Sequence, residues 1–467
     1  MKIVRNISKD IFRGYDIRGI YNVDLTDDVA YTIGLAFGSY IIENGKNKVI
    51  VGMDNRASSE NLKSALIQGL VETGVNVVDI GLVTTPMYYF SWEYLNICSG
   101  LMITASHNPK EYNGFKMAFD ESGNAFGEKI QQFREYILNA QFKKGKGSVE
   151  KVNILYNYIE RILSNIDLGA RNLRVVVDPG NGTAAAFVKE IFNKFNSLDV
   201  KYICDISDPA FPNHHPDPSV EENTKMLKEA VLDFHADVGL ALDGDADRIG
   251  VIDEKGEYIP IDHYLIIMAR DLLKKNKNYK ILFDVKCTKA LEDDIKALGG
   301  IYERYKVGNS YIKYRMKEGD FALGGEFSGH VFFRDKWSGF DDGVYAGLRL
   351  IELMTHTNKP LSQMQNGINK YFSSPEVKIH STEEEKYILV SKVKEYAIKK
   401  DYNFSTIDGV RVEEPDWWAL VRASQTGPDV TMRFEAKTME KLKDIQKEFE
   451  EVVLEKGENK WSQDLLL

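Results

Sequence analysis

Three aspartates at every second position, Asp243, Asp245 and Asp247, close an apolar run in the segment LALDGDADRIGVID. Crowded carboxylates repel one another unless a cation neutralises them. Hard oxygen ligands suit a hard divalent ion, and Mg²⁺, one per chain, is the expected metal. The same spacing puts Asp243, Asp245, Asp247 and Glu254 where an EF-hand calcium loop carries its acids. Arg248 stands where that loop needs glycine, and the flanks read as strands rather than helices, so a calcium module is excluded. A second stretch, SGLMITASHNPKEYNGFK (99–116), ends a short apolar run in Ser106 and His107. A serine beside a histidine suggests a nucleophile and its base. Neighbours in a strand point to opposite faces, and no G-x-S-x-G elbow surrounds the serine. A hydrolase dyad is therefore not the expectation. Asn108 and Pro109 mark the turn that exposes the serine.

Further loops carry polar chemistry. LVRASQTGPDVTMRFEAK offers Arg422, Ser424, Gln425, Thr426 and Gly427 together, with Arg433 downstream. Guanidinium, hydroxyl and backbone N–H groups suit a phosphate dianion, and a polar hairpin turn would look the same. GGEFSGHVFF sets Glu326, Ser328 and His330 in a glycine-rich loop. The first two suit sugar hydroxyls, and a histidine can move protons near neutral pH. KVGNSY (with Gly308) and FDVKCT (with Lys286) are weaker signals. FRGYDIRG holds Arg13, Tyr15, Asp16 and Arg18, and FPNHHPDP holds His214 and His215. The prolines and Asp217 make the histidine pair an ordered connection, and neither is assigned as a metal ligand.

The elements that must position these loops alternate. NKVIVGMD, VNVVDIG and SGLMITA read as strands around the helix SENLKSALIQGLVETG, and KKGKGSVE (143–150) reads as a linker. The pattern restarts at NLRVVVDPGNGT and again beyond DEKGEYI. Each block runs a buried strand into a polar, glycine-bearing loop, and ligand sites of α/β layers lie at such carboxyl ends. The last hundred residues change to an α+β pattern: two helices flank the hairpin-like runs NFSTIDGVRVEEPDWWALVRAS and PDVTMRFEAK. A chain of 467 residues holds two to four domains. A net charge of -10 argues against non-specific nucleic-acid binding. The three cysteines are too scattered for a disulfide framework or a zinc site. No signal peptide or membrane span is legible, so a cytoplasmic location is expected.

In this order, the serine loop TASHNP, the metal loop DGDADR, the sugar loop GEFSGH and the phosphate loop RASQTGP resemble the α-D-phosphohexomutase family. YDIRG, NGFK, FPNHHPDP, FDVKCT and GFDDG extend the resemblance over essentially the whole chain, and it is greatest to the bacterial phosphomannomutase/phosphoglucomutase branch. The resemblance implies an α/β fold of four domains around a central cleft. Three would be similar mixed α/β domains (1–150, 151–254 and 255–367). The fourth, 368–467, would be an α+β domain like the TATA-binding protein. It implies a phosphotransferase isomerase that interconverts hexose 1-phosphate and hexose 6-phosphate, of mannose, glucose or both, through a hexose 1,6-bisphosphate.

On this likeness Ser106 carries the phosphoryl group and lends an oxygen to Mg²⁺ beside Asp243, Asp245 and Asp247. Lys116 assists proton transfer or neutralises the attacking oxygen. Arg248 contacts the phosphate, and His330 is a second acid/base candidate. His107 has an orienting role. The Arg422–Thr426 loop holds the phosphate not in transit, Glu326 and Ser328 hold sugar hydroxyls, and Tyr15, Arg18, Lys286 and Gly308 line the cleft. The alternatives are a phosphoglucosamine mutase, a serine-phosphorylated metal-dependent phosphatase, and a silent sugar-phosphate-binding protein. The expected partners are hexose phosphates, with neither nucleic acid nor membrane, in a monomer or a dimer. Three departures from the family pattern stand out. Asn309 replaces a histidine and cannot titrate, Gln425 replaces an asparagine, and Ala246 replaces a frequent glycine, a change expected to matter little.

Overall fold

The computed structural model describes residues 1–425 and 427–454. Thr426 and the segment beyond 454, which closes the expected fourth domain, lie outside the described residues. The chain gathers into two compact units, 1–271 with 308–366, and 272–307 with the segment from 367 onward. The expected third domain thus contributes to both. Among the described residues no helix is long and apolar enough to cross a membrane.

The first unit contains two mixed sheets. In the first, Lys48–Met53 lies between Asn76–Leu82 and Gly100–Ile103, all parallel. Tyr112–Asp120 then adds antiparallel to Gly100–Ile103, and Ile17–Ile20 antiparallel to it in turn. The helices Asp27–Glu43 and Ser59–Glu72 cover this sheet, and Phe37 stacks on Phe119 at 4.9 Å between ring centres. In the second sheet Leu173–Asp178 pairs parallel with Leu198–Tyr202 and with Val238–Leu242. Ile249–Asp253 returns antiparallel beside Val238–Leu242. The apolar strands LRVVVD and VGLAL are buried almost throughout, as strands covered on both faces must be. A short hairpin, Leu323–Gly325 with Val331–Phe333, completes the elements that carry the site.

In the second unit Lys280–Asp284 runs parallel to Ile301–Tyr305 through the helix Lys289–Ala297. An antiparallel sheet of Val410–Glu414, Trp417–Ala423 and Asp429–Ala436 carries the helices Glu385–Lys399 and Met439–Val453. This is the α+β pattern expected of the C-terminal block.

One local expectation needs correction, and two helical segments depart from regular form. The linker 143–150 ends in a strand, Val149–Lys151, parallel to Asn76–Leu82. All three of its residues are exposed, so the sheet holds it by backbone alone and no hydrophobic period marks it. The run AAAFVKEIFNKF, which follows a glycine turn, is split into a 3-10 turn, Thr183–Ala186, and a short α-helix, Val188–Phe192. The segment from 221 likewise opens with a 3-10 turn, Glu221–Thr224, and is α-helical over Lys225–Phe234.

Candidate active site

Strand Val238–Leu242 delivers the acidic loop and strand Ile249–Asp253 takes the chain away, so the flanks are strands as expected. Within the loop Ala246 N–H bonds Asp243 O at 3.0 Å, a turn that places Ala246 at φ +62°. An alanine in this left-handed region costs about 1 kcal/mol. The replacement of glycine therefore does matter locally. Three backbone donors grip the loop from outside: Thr183 N–H on Gly244 O at 2.9 Å, Thr85 N–H on Asp245 O at 3.0 Å and Gly343 N–H on Ala246 O at 3.0 Å. Gly244 abuts the serine loop so closely that a Cβ there would lie 2.5 Å from Ser106 O.

Ser106 is itself at φ +49°. Its Oγ donates to Asp243 Oδ2 at 2.7 Å and lies 3.2 Å from His107 Nδ1. The expectation that serine and histidine face apart fails, because the left-handed turn breaks the alternation of a strand. Burial and the nearby Arg248 and Arg18 hold the His107 imidazole well below its usual pKa. Lys116, on the strand that follows the serine loop, donates to Asp245 Oδ2 at 3.0 Å and Asp247 Oδ2 at 2.5 Å. Thr85 Oγ1 (2.6 Å) and Thr104 Oγ1 (3.0 Å) also donate to Asp245 Oδ2.

Behind the serine loop sits Arg56, only 3% exposed. One terminal nitrogen donates to Ser106 O (2.7 Å) and Asn108 O (2.6 Å), the other to Pro109 O (2.8 Å) and Tyr112 O (3.0 Å). Its Nε lies 3.2 Å from Asp54 Oδ2.

His330 joins the acids from the short hairpin. Arg248 Nε donates to His330 Nε2 at 3.0 Å, so the ring proton resides on Nδ1, which lies 2.8 Å from Asp341 Oδ2 and 3.4 Å from Asp247 Oδ1. Asp341 is held in turn by Lys313 Nζ (2.9 Å) and by Asn309 Nδ2 (3.1 Å). Asn309, which cannot titrate, thus serves as a donor to Asp341. Glu326 Oε1 accepts from Gly308 N–H at 2.5 Å, and Ser328 is half-buried in the same hairpin turn. Arg18 reaches Asn108 Oδ1 (2.7 Å) and Asp16 Oδ2 (2.5 Å). Burial and Asp16 raise the neighbouring Tyr15 phenol.

Residues of the phosphate loop and Lys286 belong to the second unit. Arg422 Nε donates to Asp408 Oδ2 at 3.0 Å. Lys386 Nζ holds the carbonyls of Ser424 (2.9 Å) and Gly427 (3.2 Å), which shapes the loop that presents Gln425. Thr426 lies outside the described residues. Arg433 is not at the loop tip: it is buried in the strand Asp429–Ala436 and donates to the carbonyl of Lys286. Lys286 Nζ donates to the half-buried Glu376 at 3.0 Å; partial burial opposes the charge on that carboxyl, but the ammonium outweighs it and holds the group down at about 2.

The donor set of the acidic loop fits a hard cation. Oxygens of Asp243, Asp245 and Asp247 lie within 4.8 Å of one another, fully buried. Asp245 Oδ1 and Asp247 Oδ1 have no hydrogen-bond donor although both are buried. Burial and the two neighbouring carboxylates push Asp243 well up. Burial also opposes the charge on Asp245, but the Lys116 ammonium and the donors from Thr85, Lys116 and Thr104 outweigh it and hold that carboxyl low. Burial likewise opposes the charge on Lys116, and its two aspartates hold the ammonium well above its usual pKa. Sequence reasoning gave no role to Arg56, Thr85, Thr104, Lys313 or Asp341. Of these, Thr104 lay in the quoted motif TASHNP and Asp341 in GFDDG.

Four family models cover the chain. They are those of phosphoglucomutase/phosphomannomutase alpha/beta/alpha domains I (9–144), II (156–256) and III (260–371), and of the C-terminal domain (376–452). A phosphomannomutase/phosphoglucomutase of Pseudomonas aeruginosa is 42% identical over 439 residues, 94% of each chain. A phosphoglucomutase of Neisseria meningitidis is 40% identical, with 96% of this chain and 97% of the relative covered. A solved structure of a phosphoglucomutase/phosphomannomutase family protein from Burkholderia thailandensis superposes with a TM-score of 0.89 at 38% identity, covering 96% of this chain and 97% of that one. These relatives favour neither the phosphatase nor the glucosamine alternative.

Proposed function

Because this chain belongs to the phosphoglucomutase/phosphomannomutase family and is a hexose phosphate mutase, we propose that it interconverts the 1- and 6-phosphates of mannose and glucose through a phosphorylated Ser106 and a hexose 1,6-bisphosphate. The observation that carries this reading is the position of Ser106 Oγ, 2.7 Å from Asp243 and at the edge of the buried acids that Lys116 bridges. Phosphoryl transfer asks a protein mainly for positioning and charge neutralisation. Asp243, Asp245 and Asp247 would hold Mg²⁺, with a phosphoserine oxygen completing the set. Bound there, Mg²⁺ offsets the roughly -1.5 to -2 charge of the phosphoserine and orients it.

In the forward half-reaction the bond from phosphorus to Ser106 Oγ breaks and a bond to the open sugar hydroxyl forms. The hydroxyl proton passes to a basic group of the site, for which His330 is the candidate once Arg248 turns from its Nε2 to the phosphoryl group. The bisphosphate turns over, and its other phosphoryl group returns to Ser106. Lys116 neutralises the attacking oxygen, and Arg248 and His107 contact the phosphoryl group. Glu326 and Ser328 hold sugar hydroxyls, with Tyr15, Arg18, Gly308 and Lys286 as further contacts. The Arg422, Ser424, Gln425 and Thr426 loop receives the phosphate not in transit. Arg433 supports that loop through the Lys286 carbonyl.

Intact mass and peptide mapping test the carrier: one phosphate on Ser106 of active enzyme is the expected result, and full activity with unmodified Ser106 refutes it. A coupled assay on mannose, glucose and glucosamine phosphates, with catalytic amounts of the matching bisphosphate, tests the substrate. Release of free glucose from glucose 1-phosphate, without glucose 6-phosphate, would refute the mutase cycle.

A further inference from the structure

Arg56 touches none of the groups assigned a chemical role by their side chains, yet every N–H of its two terminal nitrogens is spent on the serine loop. Four carbonyls, those of Ser106, Asn108, Pro109 and Tyr112, converge on one guanidinium at 2.6–3.0 Å. The planar fork fixes the direction of each acceptor, which a lysine ammonium cannot do. Asp54 fixes the guanidinium in turn, from 3.2 Å at Nε. Asp54 is itself held by Ser59 Oγ at 2.6 Å and by Arg56 N–H at 3.0 Å.

The orientation matters most at the peptide joining Ser106 to His107. In a trans peptide the C=O and N–H point to opposite edges. With Ser106 O drawn back to Arg56, the His107 N–H is turned to the opposite edge, away from the guanidinium. The same capture holds Ser106 at its φ of +49°, a conformation that L-residues with a side chain adopt at a cost.

We propose that Arg56 is a positioning residue for phosphoryl transfer: by gathering four carbonyls of the serine loop it sets the angle of Ser106 Oγ and turns the His107 backbone N–H toward the phosphoryl group. The proposal rests on the reading of Ser106 as the phosphoryl carrier. A misplacement of about 1 Å in such a group costs on the order of 10²-fold in rate.

The test compares wild type, Arg56→Lys and Arg56→Ala after loading with glucose 1,6-bisphosphate, with Ser106 phosphate measured by intact mass and kcat and KM for glucose 1-phosphate by coupled assay. The expected result is a fall of about 10²-fold in kcat per phosphorylated, folded molecule in both variants, with KM near wild type. Guanidinium ion at a sub-denaturing concentration should restore part of the kcat of Arg56→Ala and none of that of Arg56→Lys. A loss of stability alone would not give that split. Wild-type kcat in Arg56→Lys overturns the proposal. Where the arginine variants do not fold, Asp54→Ala, which frees Nε and leaves the fork in place, must lower kcat without raising KM, and wild-type kcat there overturns it equally. A wild-type enzyme with no phosphate on Ser106 refutes the carrier reading itself, whatever the Arg56 variants do.

Discussion

Gly244→Ala is the smallest change that separates the acidic loop from the serine loop. The added methyl would start 2.5 Å from Ser106 O, about 0.9 Å inside the 3.4 Å at which ordinary contact begins. Neither side yields cheaply. Ser106 O is tied to Arg56 at 2.7 Å, and Gly244 O is tied to Thr183 N–H at 2.9 Å. Overpacking of this kind costs about 1–3 kcal/mol of stability. The larger effect falls on the reaction, because a shift of nearly 1 Å between Ser106, the proposed phosphoryl carrier, and the aspartates proposed to hold the metal costs about 10²-fold in kcat, or about 2.7 kcal/mol in the barrier. Coupled turnover of glucose 1-phosphate at saturating Mg²⁺ and bisphosphate reads the effect on the reaction. Thermal unfolding at a fixed scan rate reads the effect on stability, since a chain of this size need not unfold reversibly. The expected pattern is a large drop in kcat, a modest drop in Tm and little change in KM. Wild-type kcat with an unchanged Tm would show that the two loops are not in contact as described, and the argument would fall with that contact.

Other perturbations reach different parts of the structure. Asp245→Asn removes the charge that faces Lys116, Thr85 and Thr104; kcat should fall on the order of 10²-fold, and a Mg²⁺ titration should show a raised requirement. Asn309→Ala deletes the 3.1 Å donor to Asp341, a loss of about 1 kcal/mol, so kcat should drop about fivefold, and an unchanged kcat would deny Asn309 any part in holding His330. Ala246→Gly relieves the φ of +62° and should leave stability equal or higher by up to about 1 kcal/mol; a lower Tm would contradict the assigned strain. Burial opposes the charge on His214, but its bonds to Asp178 and Cys204 outweigh it and raise the imidazole to about 10. A raised folded pKa means that this pair stabilises fully below about pH 6.5 and is lost as pH rises toward 10. Wild type should therefore lose about 2 kcal/mol more than Asp178→Asn between those limits, a figure already discounted for partial exposure. Parallel pH profiles of the two would refute this.

The chemistry that the sequence declares is the chemistry carried next to an apolar strand. LALDGDADR announces its acids because five buried residues lead straight into them, and TASHNP and GEFSGH stand out for the same reason. The supporting groups lack such a frame. Arg56 sits in DNRASSE, which reads as an ordinary helix start, and Thr85 in TTPMYYF, where a threonine before proline is an expected cap. Their partners are 50 to 160 residues away, a separation no local pattern encodes. The contact between Ser106 and His107 was hidden for another reason: a serine at positive φ leaves no mark in its own sequence, and only the tertiary grip on the loop produces it. The exposed strand Val149–Lys151 was hidden because its pairing is made by main chain alone.

The backbone grip on the acidic loop also sets an order of events in time. Gly343, whose N–H closes on Ala246 O, follows the last aspartate by almost a hundred residues. At about 5–20 residues per second, a ribosome takes on the order of 5–20 s to supply it. Throughout that interval the nascent chain holds three aspartates whose turn is only partly closed. The final shape of the loop therefore belongs to the late stages of synthesis, and a chain halted after Asp253 would already display all three acids while still lacking the donor that completes their turn.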